Sequence, residues 1–406
     1  MSIARGLPAS VSANAKLLLI TRALRGFADG AVSVILPSYL TALGFDSFAI
    51  GAIVFGTLLG SAALTLAVGL AGRRIAPRGV LMAASALMFL TGVGFFSVTG
   101  FWPLFALAIV GTMNPSAGDV SLFLPAEQTA MADSVGVSDL TAMFSIYNVA
   151  GSMAGAVGAL ASGLPRLLAR PAGWSTSAAE RGAFIGYSLI ALIVGAIYRR
   201  MHVPERLHQA KPSAPLVKSR RIVIHLALLF SLDSFGGGLV VQSLLALWLL
   251  RRFNLNVASA GIFFFIAGLL GALAQLISAP IAARIGRIRT MVYTHVPANA
   301  FLIVAALMPG PKSAFTFLLL RALMAQMDVP ARQSYVMALV DPEERAAAAS
   351  VTNVPRSLAT AFAALPAGAL LNVSNFGWPL VGAGALKIIY DLLLLLQFRS
   401  VRPADE

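Results

Sequence analysis

The chain has 406 residues, of which 58% are hydrophobic and only 11% are charged, and its mean hydropathy is +0.84. Soluble domains carry about 25% charged residues, so this composition excludes a soluble protein and predicts one that is embedded in a bilayer. There is no cysteine, which excludes disulfides, thiol catalysis and cysteine metal sites. We attribute the net charge of +14 to basic cytoplasmic loops rather than to nucleic-acid binding.

Apolar stretches of about 20 residues, enough to cross a hydrocarbon core of roughly 30 Å, recur along the chain. Their long unbroken runs favour α-helices over a β-barrel, whose strands would be short and alternating. We therefore predict an all-α integral membrane protein. The twelve expected transmembrane helices are 17–43, 48–70, 79–99, 102–127, 138–164, 182–199, 222–249, 257–280, 290–309, 314–338, 346–371 and 380–398.

Basic residues are unevenly distributed among the predicted loops. If both termini are cytoplasmic, the cytoplasmic segments hold 18 of the Lys and Arg residues and the outer loops hold 6, as the positive-inside rule requires. Seven of the 18 lie in the Pro-containing region 199–221. We predict that this region is a cytoplasmic linker between an N-terminal six-helix bundle (1–198) and a C-terminal one (222–406).

The two predicted bundles share an internal repeat. Pro125-Ala-Glu-Gln-Thr129 recurs as Pro330-Ala-Arg-Gln-Ser334, and the match continues at the same offset of 205 to Gly163 and Gly368. An even number of helices per unit makes the two copies parallel, related by an axis along the membrane normal. The sequence thus predicts two parallel six-helix repeats.

Three glycine- or arginine-rich motifs accompany this repeat. Gly69-Leu-Ala-Gly-Arg-Arg-Ile-Ala-Pro-Arg78 follows helix 2, and Ala279-Pro-Ile-Ala-Ala-Arg-Ile-Gly-Arg287 follows helix 8. Gly151-Ser-Met-Ala-Gly-Ala-Val-Gly158 lies in helix 5. With the two parallel halves and the basic linker, these motifs resemble the loop and helix-5 antiporter signatures of the major facilitator superfamily.

The resemblance implies a major facilitator fold in which two halves rock about a central cavity lined by helices 1, 4, 7 and 10. It also makes the loop residues Arg74 and Arg284 gating candidates, although Gly72 and Ala283 stand where the signature has Asp. The helix-5 glycines have two interpretations, a role in antiport or close helix packing.

Six acidic and six basic residues inside the predicted spans are taken as functional candidates, because charge is costly there. Asp29 and Asp233 occupy equivalent positions in helices 1 and 7. We take them, with Asp119 and Asp328 in helices 4 and 10, as candidates for binding protons or another coupling cation. Alternatively, Asp29 only neutralises Arg25 one turn earlier.

Several basic and polar side chains in the spans are candidates for binding an organic substrate: Arg25, Asn114, Tyr147, Gln242, Arg321 and Arg356. Arg356, in the middle of helix 11, suits an anionic substrate group or an internal pair with Asp328 or Asp233. Lys387 and Asp391, four residues apart in helix 12, predict a structural pair.

Glu127 and Arg332 are repeat equivalents of opposite charge near the cytoplasmic ends of helices 4 and 10. We take both as gating candidates. They either form a salt bridge across the halves that closes the cytoplasmic side, or belong to two separate local pairs.

No phosphate-binding or nucleophile motif is present, and His225 and His295 each stand alone near the end of a span. An enzyme, a cofactor and a resident metal are therefore not expected. The leading hypothesis is a secondary active transporter that exports a small organic compound in exchange for protons. The alternatives are uptake or exchange of a small organic anion, metal-ion export, and passive uniport. We expect a monomer in a bacterial plasma (inner) membrane, with lipid, protons and the substrate as its only partners and no nucleic acid.

Overall fold

A computed structural model describes residues 12–71, 76–116, 122–132, 134–135, 140–201, 219–341 and 344–398. Within these ranges the regular structure is helical. The helices are α1 (Ala13–Ala42), α2 (Ser47–Ala71), α3 (Pro77–Ser97), α4 (Phe101–Val110), α5 (Phe123–Ala132), α6 (Leu140–Ala161), α7 (Leu164–Ala172), α8 (Thr176–Arg200), α9 (Arg220–Gly238), α10 (Gln242–Phe253), α11 (Val257–Ile285), α12 (Arg287–Leu307), α13 (Pro311–Ala325), α14 (Asp328–Leu339), α15 (Arg345–Val373) and α16 (Trp378–Phe398). We call α1–α8 the N-half and α9–α16 the C-half.

Ten helical segments in the described ranges are long and apolar enough to cross a membrane, which confirms an all-helical membrane protein. The 30-residue α1 is not among the ten and carries charged residues such as Arg22, Arg25 and Asp29. Predicted span 4 is divided into α4 and α5. The number of twelve spans therefore stays a prediction.

Three predicted spans are broken near their middle. In span 4, α4 ends at Val110, shortly before Pro115. In span 10, α13 and α14 are separated just before Pro330. Both breaks agree with the missing backbone donor and fixed φ of proline. The break between α9 and α10 follows three consecutive glycines, 236–238, and glycine has a low helix propensity. This break was not predicted from the sequence.

The helices run between two ends of the bundle. Arg78, in the first turn of α3, donates to the carbonyl of Arg199 at the end of α8 (2.7 Å), and we call this end the linker face because region 199–221 leaves from it. At the other end, Tyr39 of α1 donates to the carbonyl of Phe95 in α3 (2.9 Å). We call this second end, where α1 and α10 terminate, the distal face.

The two halves meet at two equivalent helix crossings. In the crossing of α2 with α15, a Cβ on Gly51 would lie 2.8 Å from the Cα of Gly368. In the crossing of α6 with α11, a Cβ on Gly261 would overlap the carbonyl oxygen of Ala159. Gly51 and Gly261 are repeat equivalents, so the same position of each repeat allows both backbones to approach closely.

The helix-5 glycines have a similar packing role within the N-half. A Cβ on Gly158 would overlap the carbonyl oxygen of Phe27 in α1, and a Cβ on Gly30 would overlap that of Gly155. The packing interpretation of this motif accounts for these contacts without a role in antiport.

We predict that Gly158→Ala lowers the thermal unfolding midpoint of the purified protein, because the new methyl group forces α1 and α6 apart. Overpacking of this kind costs about 1–3 kcal/mol. Gly186→Ala is the matched control, since a Cβ at this glycine of α8 meets nothing within 4 Å. Equal midpoints for the two variants would contradict the close α1–α6 contact.

Candidate functional site

A cavity of about 370 Å³ lies between the two halves. Phe263 and Phe264 form part of its apolar wall, and many of its other lining residues are small. Its polar lining consists of Arg22, Asp29, Ser116, Ser152, Gln242, Gln275, Arg321 and Gln326. Both halves therefore contribute polar groups to one shared site.

Arg321 is the cavity cation of the C-half. It projects from α13, and its repeat equivalent Ser116 also lines the cavity. Its Nε is buried without a hydrogen-bond partner, and no carboxylate of the described residues forms a salt bridge with it. A half-buried guanidinium in this state can donate hydrogen bonds to an anionic group of a ligand.

Asp29 is the cavity carboxylate of the N-half. It is half-buried, and the hydroxyl of Tyr187 lies 3.5 Å from its Oδ1. Arg25 and Arg22 are close enough to act on its charge, but the carboxylate that Arg25 binds is Glu127. Asp29 thus faces the cavity rather than serving as the direct partner of Arg25.

Glu127 is the centre of a buried cluster in the N-half. Its carboxylate, 0% exposed, accepts hydrogen bonds from Thr21 (2.9 Å), Arg25, Tyr147 and Tyr198. These partners come from α1, α6 and α8, so one carboxylate holds α5 to three other helices. Arg25 and Tyr147, both predicted to bind substrate, contribute to this cluster and not to the cavity lining.

Asp233 is the centre of a second buried cluster, in the C-half. Its oxygens bind Lys387 of α16 (2.6 Å) and Arg332 of α14 (3.2 Å), and Arg332 also binds Asp328 (3.0 Å). Asp233 is not among the cavity-lining residues. Glu127 and Arg332 therefore belong to two local clusters, the second of the two arrangements considered for this pair.

The predicted pair of Lys387 with Asp391 is wrong. Lys387 binds Asp233, whereas Asp391 accepts from His295 (3.0 Å) and Asn299 (3.4 Å) of α12. His295 is also not isolated, although its position in the sequence suggested that it would be. Spacing within one helix identifies neighbours on one face, but here stronger partners come from other helices.

Arg356 and Asn114 form hydrogen bonds with uncharged side chains. Arg356 donates to Ser234 of α9 (3.1 Å) and to Asn353 (3.2 Å); within the described residues it forms no salt bridge with Asp328 or Asp233. Asn114 is buried and accepts from Ser116 (2.7 Å). Neither residue lines the cavity.

Three of the predicted residues are remote from the cavity or outside the described ranges. Asp119 and Arg74 lie outside the described residues. Arg284 is exposed in the last turn of α11.

Sequence reasoning missed several polar residues. Gln275 and Gln326 line the cavity, but as uncharged residues they were not selected as candidates. Arg22 also lines it; it was among the basic residues noted in the predicted spans but was not assigned to a site. Glu180, assigned to a loop, is 4% exposed in α8 and accepts from Ser38 (3.0 Å). An earlier start of that span, at the N-cap Ser175, would have placed Glu180 inside it.

The distal face is closed by α10, in which every residue from Ser243 to Leu249 is buried. Gln242, a predicted substrate ligand that does line the cavity, donates to the Ser33 hydroxyl of α1 (2.9 Å). Ser243 donates to the carbonyls of Ser33 (2.9 Å) and Pro115 (2.8 Å). These bonds connect the cavity wall directly to the contact between the halves.

Arg251, at the end of α10, connects the distal face to two more helices. Its guanidinium donates to the Ser47 hydroxyl of α2 and to the carbonyl of Leu371 in α15 (3.1 Å). The amide of Ser47 in turn donates to Asn372 (3.3 Å). We call the cross-half hydrogen bonds of Ser33, Ser47, Gln242, Ser243 and Arg251 the distal seal.

Metal binding has no geometric support in the described part of the chain. There, no group of three or more His, Asp or Glu side chains is arranged to hold a metal ion.

Comparisons with known proteins agree with this architecture. A model of the Major Facilitator Superfamily matches residues 18–325. An uncharacterized membrane protein of Saccharomyces cerevisiae is 24% identical over 96% of this chain and 95% of its own length. Among solved structures, a mutant of the nucleoside transporter NupG shares the fold with a TM-score of 0.75; it is 14% identical, and the match covers 95% of this chain and 100% of that chain. The Escherichia coli xylose transporter XylE shares the fold with a TM-score of 0.74; it is 14% identical, and the match covers 97% of this chain and 99% of that chain.

We predict that Glu127→Leu strongly destabilises the protein, because Arg25 is then buried without its carboxylate. Breaking a buried pair costs about 3–5 kcal/mol, whereas replacing both partners by apolar residues is often neutral. The double variant Arg25→Met/Glu127→Leu should therefore recover the part of the loss in thermal unfolding midpoint that comes from the guanidinium, although the hydroxyls of Tyr147 and Tyr198 still lack this acceptor. Tyr147→Phe, which removes one hydrogen bond, should cost about 1 kcal/mol. A double variant that is less stable than Glu127→Leu alone would contradict this account.

Proposed function

Because the chain belongs to the Major Facilitator Superfamily, we propose that it is a secondary transporter that moves a small organic anion through the cavity between its halves by alternating access. The family and its structural relatives are transporters, so the chain is a membrane transporter and not an enzyme. Arg321, which is half-buried in the cavity and has no carboxylate partner among the described residues, is the observation that carries the choice of an anion.

The other cavity groups fit such a substrate. Burial of a lone guanidinium is costly, and a carboxylate or phosphate group of the substrate offsets this cost by accepting hydrogen bonds from it. Gln242, Gln275 and Gln326 offer amides to further polar groups, while Phe263 and Phe264 offer an apolar wall. A volume of about 370 Å³ is within the usual range of roughly 300–1,000 Å³ for small-molecule sites.

We assign proton coupling to Asp29. A carboxylate in the cavity is reached by water from whichever face is open, so it can take up a proton on one side and release it on the other. Arg22 and Arg25 lie near it, so a proton on Asp29 also increases the positive charge that a substrate anion encounters.

From the sequence, we propose that the protein exports its substrate. We also propose that it lies in a bacterial plasma membrane with both termini in the cytoplasm. The excess of basic residues in the predicted cytoplasmic segments supports the orientation. The helix-5 glycines no longer support export, because their contacts with α1 explain them. Flux in each direction, measured in the assay below, tests export independently of the substrate class.

We predict that Arg321→Gln reduces anion transport at least about tenfold, the effect of losing one charge-assisted hydrogen bond of roughly 1.5–3 kcal/mol. The assay is uptake and counterflow in proteoliposomes with radiolabelled lactate, succinate, benzoate and glycerol 3-phosphate, beside neutral xylose and uridine. Lys312→Gln, an exposed cation of the same helix, is the matched control. Transport of the neutral compounds alone, unaffected by Arg321→Gln, would overturn the anion proposal.

We predict that Asp29→Asn retains counterflow of the transported anion but abolishes its acceleration by a pH gradient, because the amide cannot carry a proton. A pH dye inside the proteoliposomes measures the accompanying proton flux. Asp46→Asn, which changes a carboxylate outside the cavity near the N-terminus of α2, is the control. Unchanged proton flux in Asp29→Asn would remove Asp29 from the coupling mechanism.

A further inference from the structure

A second cavity, of about 370 Å³, is a groove along the first three turns of α9. It is lined by six residues of this one helix: Arg221, Ile224, His225, Leu228, Leu229 and Leu232. The two polar members lie in the first two turns of α9, and the part of the groove beyond them is lined by leucines. The groove therefore has a polar end at the start of the helix and an apolar end deeper along it.

The groove faces away from the interior of the C-half. Leu226 and Phe230, on the opposite face of α9, are buried in a core that includes Tyr390 of α16. On the groove side, Leu228 is 68% exposed and Ile224 is 43% exposed. An apolar face of this kind on a membrane-spanning helix is in contact with lipid, so the groove opens to the bilayer.

The length of the groove matches one leaflet of the bilayer. Because α10 ends at the distal face, α9 begins at the linker face, and Arg221 lies in its first turn. From Arg221 to Leu232 the helix rises about 16 Å at 1.5 Å per residue. This rise is about half of a hydrocarbon core of roughly 30 Å. The groove thus extends from the level of the lipid headgroups to the middle of the membrane.

The polar end of the groove is suited to a phosphate group. Arg221 is exposed, and no acidic side chain of the described residues forms a salt bridge with it. His225 Nε2 donates to Oε1 of Gln397 in α16 (2.6 Å), and its ring lies edge-on to Phe398 with the ring centres 5.7 Å apart. These contacts hold the imidazole at the wall of the groove, while the guanidinium is left to donate to a ligand.

We propose that this groove binds one phospholipid with an anionic headgroup, taken from the leaflet at the linker face. Its phosphate accepts hydrogen bonds from Arg221, and one acyl chain lies against Ile224, Leu228 and Leu232. The region 199–221, which leaves from the same face, holds seven basic residues, and juxtamembrane basic residues attract anionic lipids. The bound lipid is independent of the substrate that the central cavity takes.

The test measures lipid binding beside the groove without any substrate. The chain has no cysteine, so Leu396→Cys introduces a single site for a bimane fluorophore. Leu396 is 68% exposed and precedes Gln397, so it lies beside the groove without lining it. Ala196→Cys is the matched label position, since it is exposed on α8 near the linker face, shortly before the basic pair Arg199 and Arg200.

The labelled proteins are reconstituted in phosphatidylcholine vesicles that contain a small fraction of a quenching lipid. This probe is either phosphatidylglycerol or phosphatidylcholine with a nitroxide on one acyl chain. At Leu396→Cys, the anionic probe is expected to give half-maximal quenching at about one fifth of the mole fraction that the zwitterionic probe requires, the effect of one juxtamembrane cation. At Ala196→Cys, which is outside the groove, the preference should be clearly smaller.

Two neighbouring arginines separate a lipid site from general surface charge. Arg221→Gln should abolish the preference for the anionic probe at Leu396→Cys. Arg220→Gln removes the same charge at the same depth but from a residue that does not line the groove, and it should leave most of the preference intact.

Equal preferences at the two label positions, or equal losses in Arg220→Gln and Arg221→Gln, would show that surface charge alone attracts the lipid and would overturn the inference. So would quenching by both probes alike in the wild-type sequence. None of these outcomes bears on the transport proposal, because no substrate is present. Conversely, failure of anion transport would leave a specific preference at the groove unchanged.

Discussion

The pairing of charge within the bilayer is the constraint on which the rest of this structure depends. A carboxylate or guanidinium left alone in hydrocarbon is costly. In each half, one buried carboxylate is paired with basic side chains of other helices. Glu127 holds α5 against α1, α6 and α8, and Asp233 holds α9 against α14 and α16. The described contacts of each cluster therefore lie within one half, and neither cluster spans the contact between the halves.

The two repeats place their equivalent carboxylates in different surroundings. Asp29 and Asp233 are equivalent in sequence, but Asp29 faces the cavity while Asp233 is enclosed by cations from other helices. Likewise Ser116 is the neutral counterpart of Arg321. The cavity thus receives its carboxylate from the N-half and its unpaired cation from the C-half. The charge distribution of the cavity is therefore asymmetric although the two halves are related by a repeat.

Much of the fold was predictable, because hydropathy, basic loops and the 205-residue repeat are local or periodic signals. The breaks at Pro115 and Pro330 follow from proline geometry. The partners of the buried charges were not predictable in the same way. Lys387 was assigned to Asp391 by spacing, yet it binds Asp233, 154 residues away. His295 had no signal of its own because its partner lies on α16. Such contacts depend on which helix faces are brought together, which one sequence does not specify.

The distal seal has an energetic consequence for transport. It consists of a few hydrogen bonds, such as Gln242 to Ser33 and Ser243 to Pro115, each contributing about 1 kcal/mol net. Their sum is a few kcal/mol, less than the roughly 8 kcal/mol with which a micromolar ligand binds. A ligand that prefers another conformation by a comparable amount can offset the loss of these hydrogen bonds. Gln242 belongs to both the seal and the cavity, so a substrate that takes its amide weakens the seal as it binds.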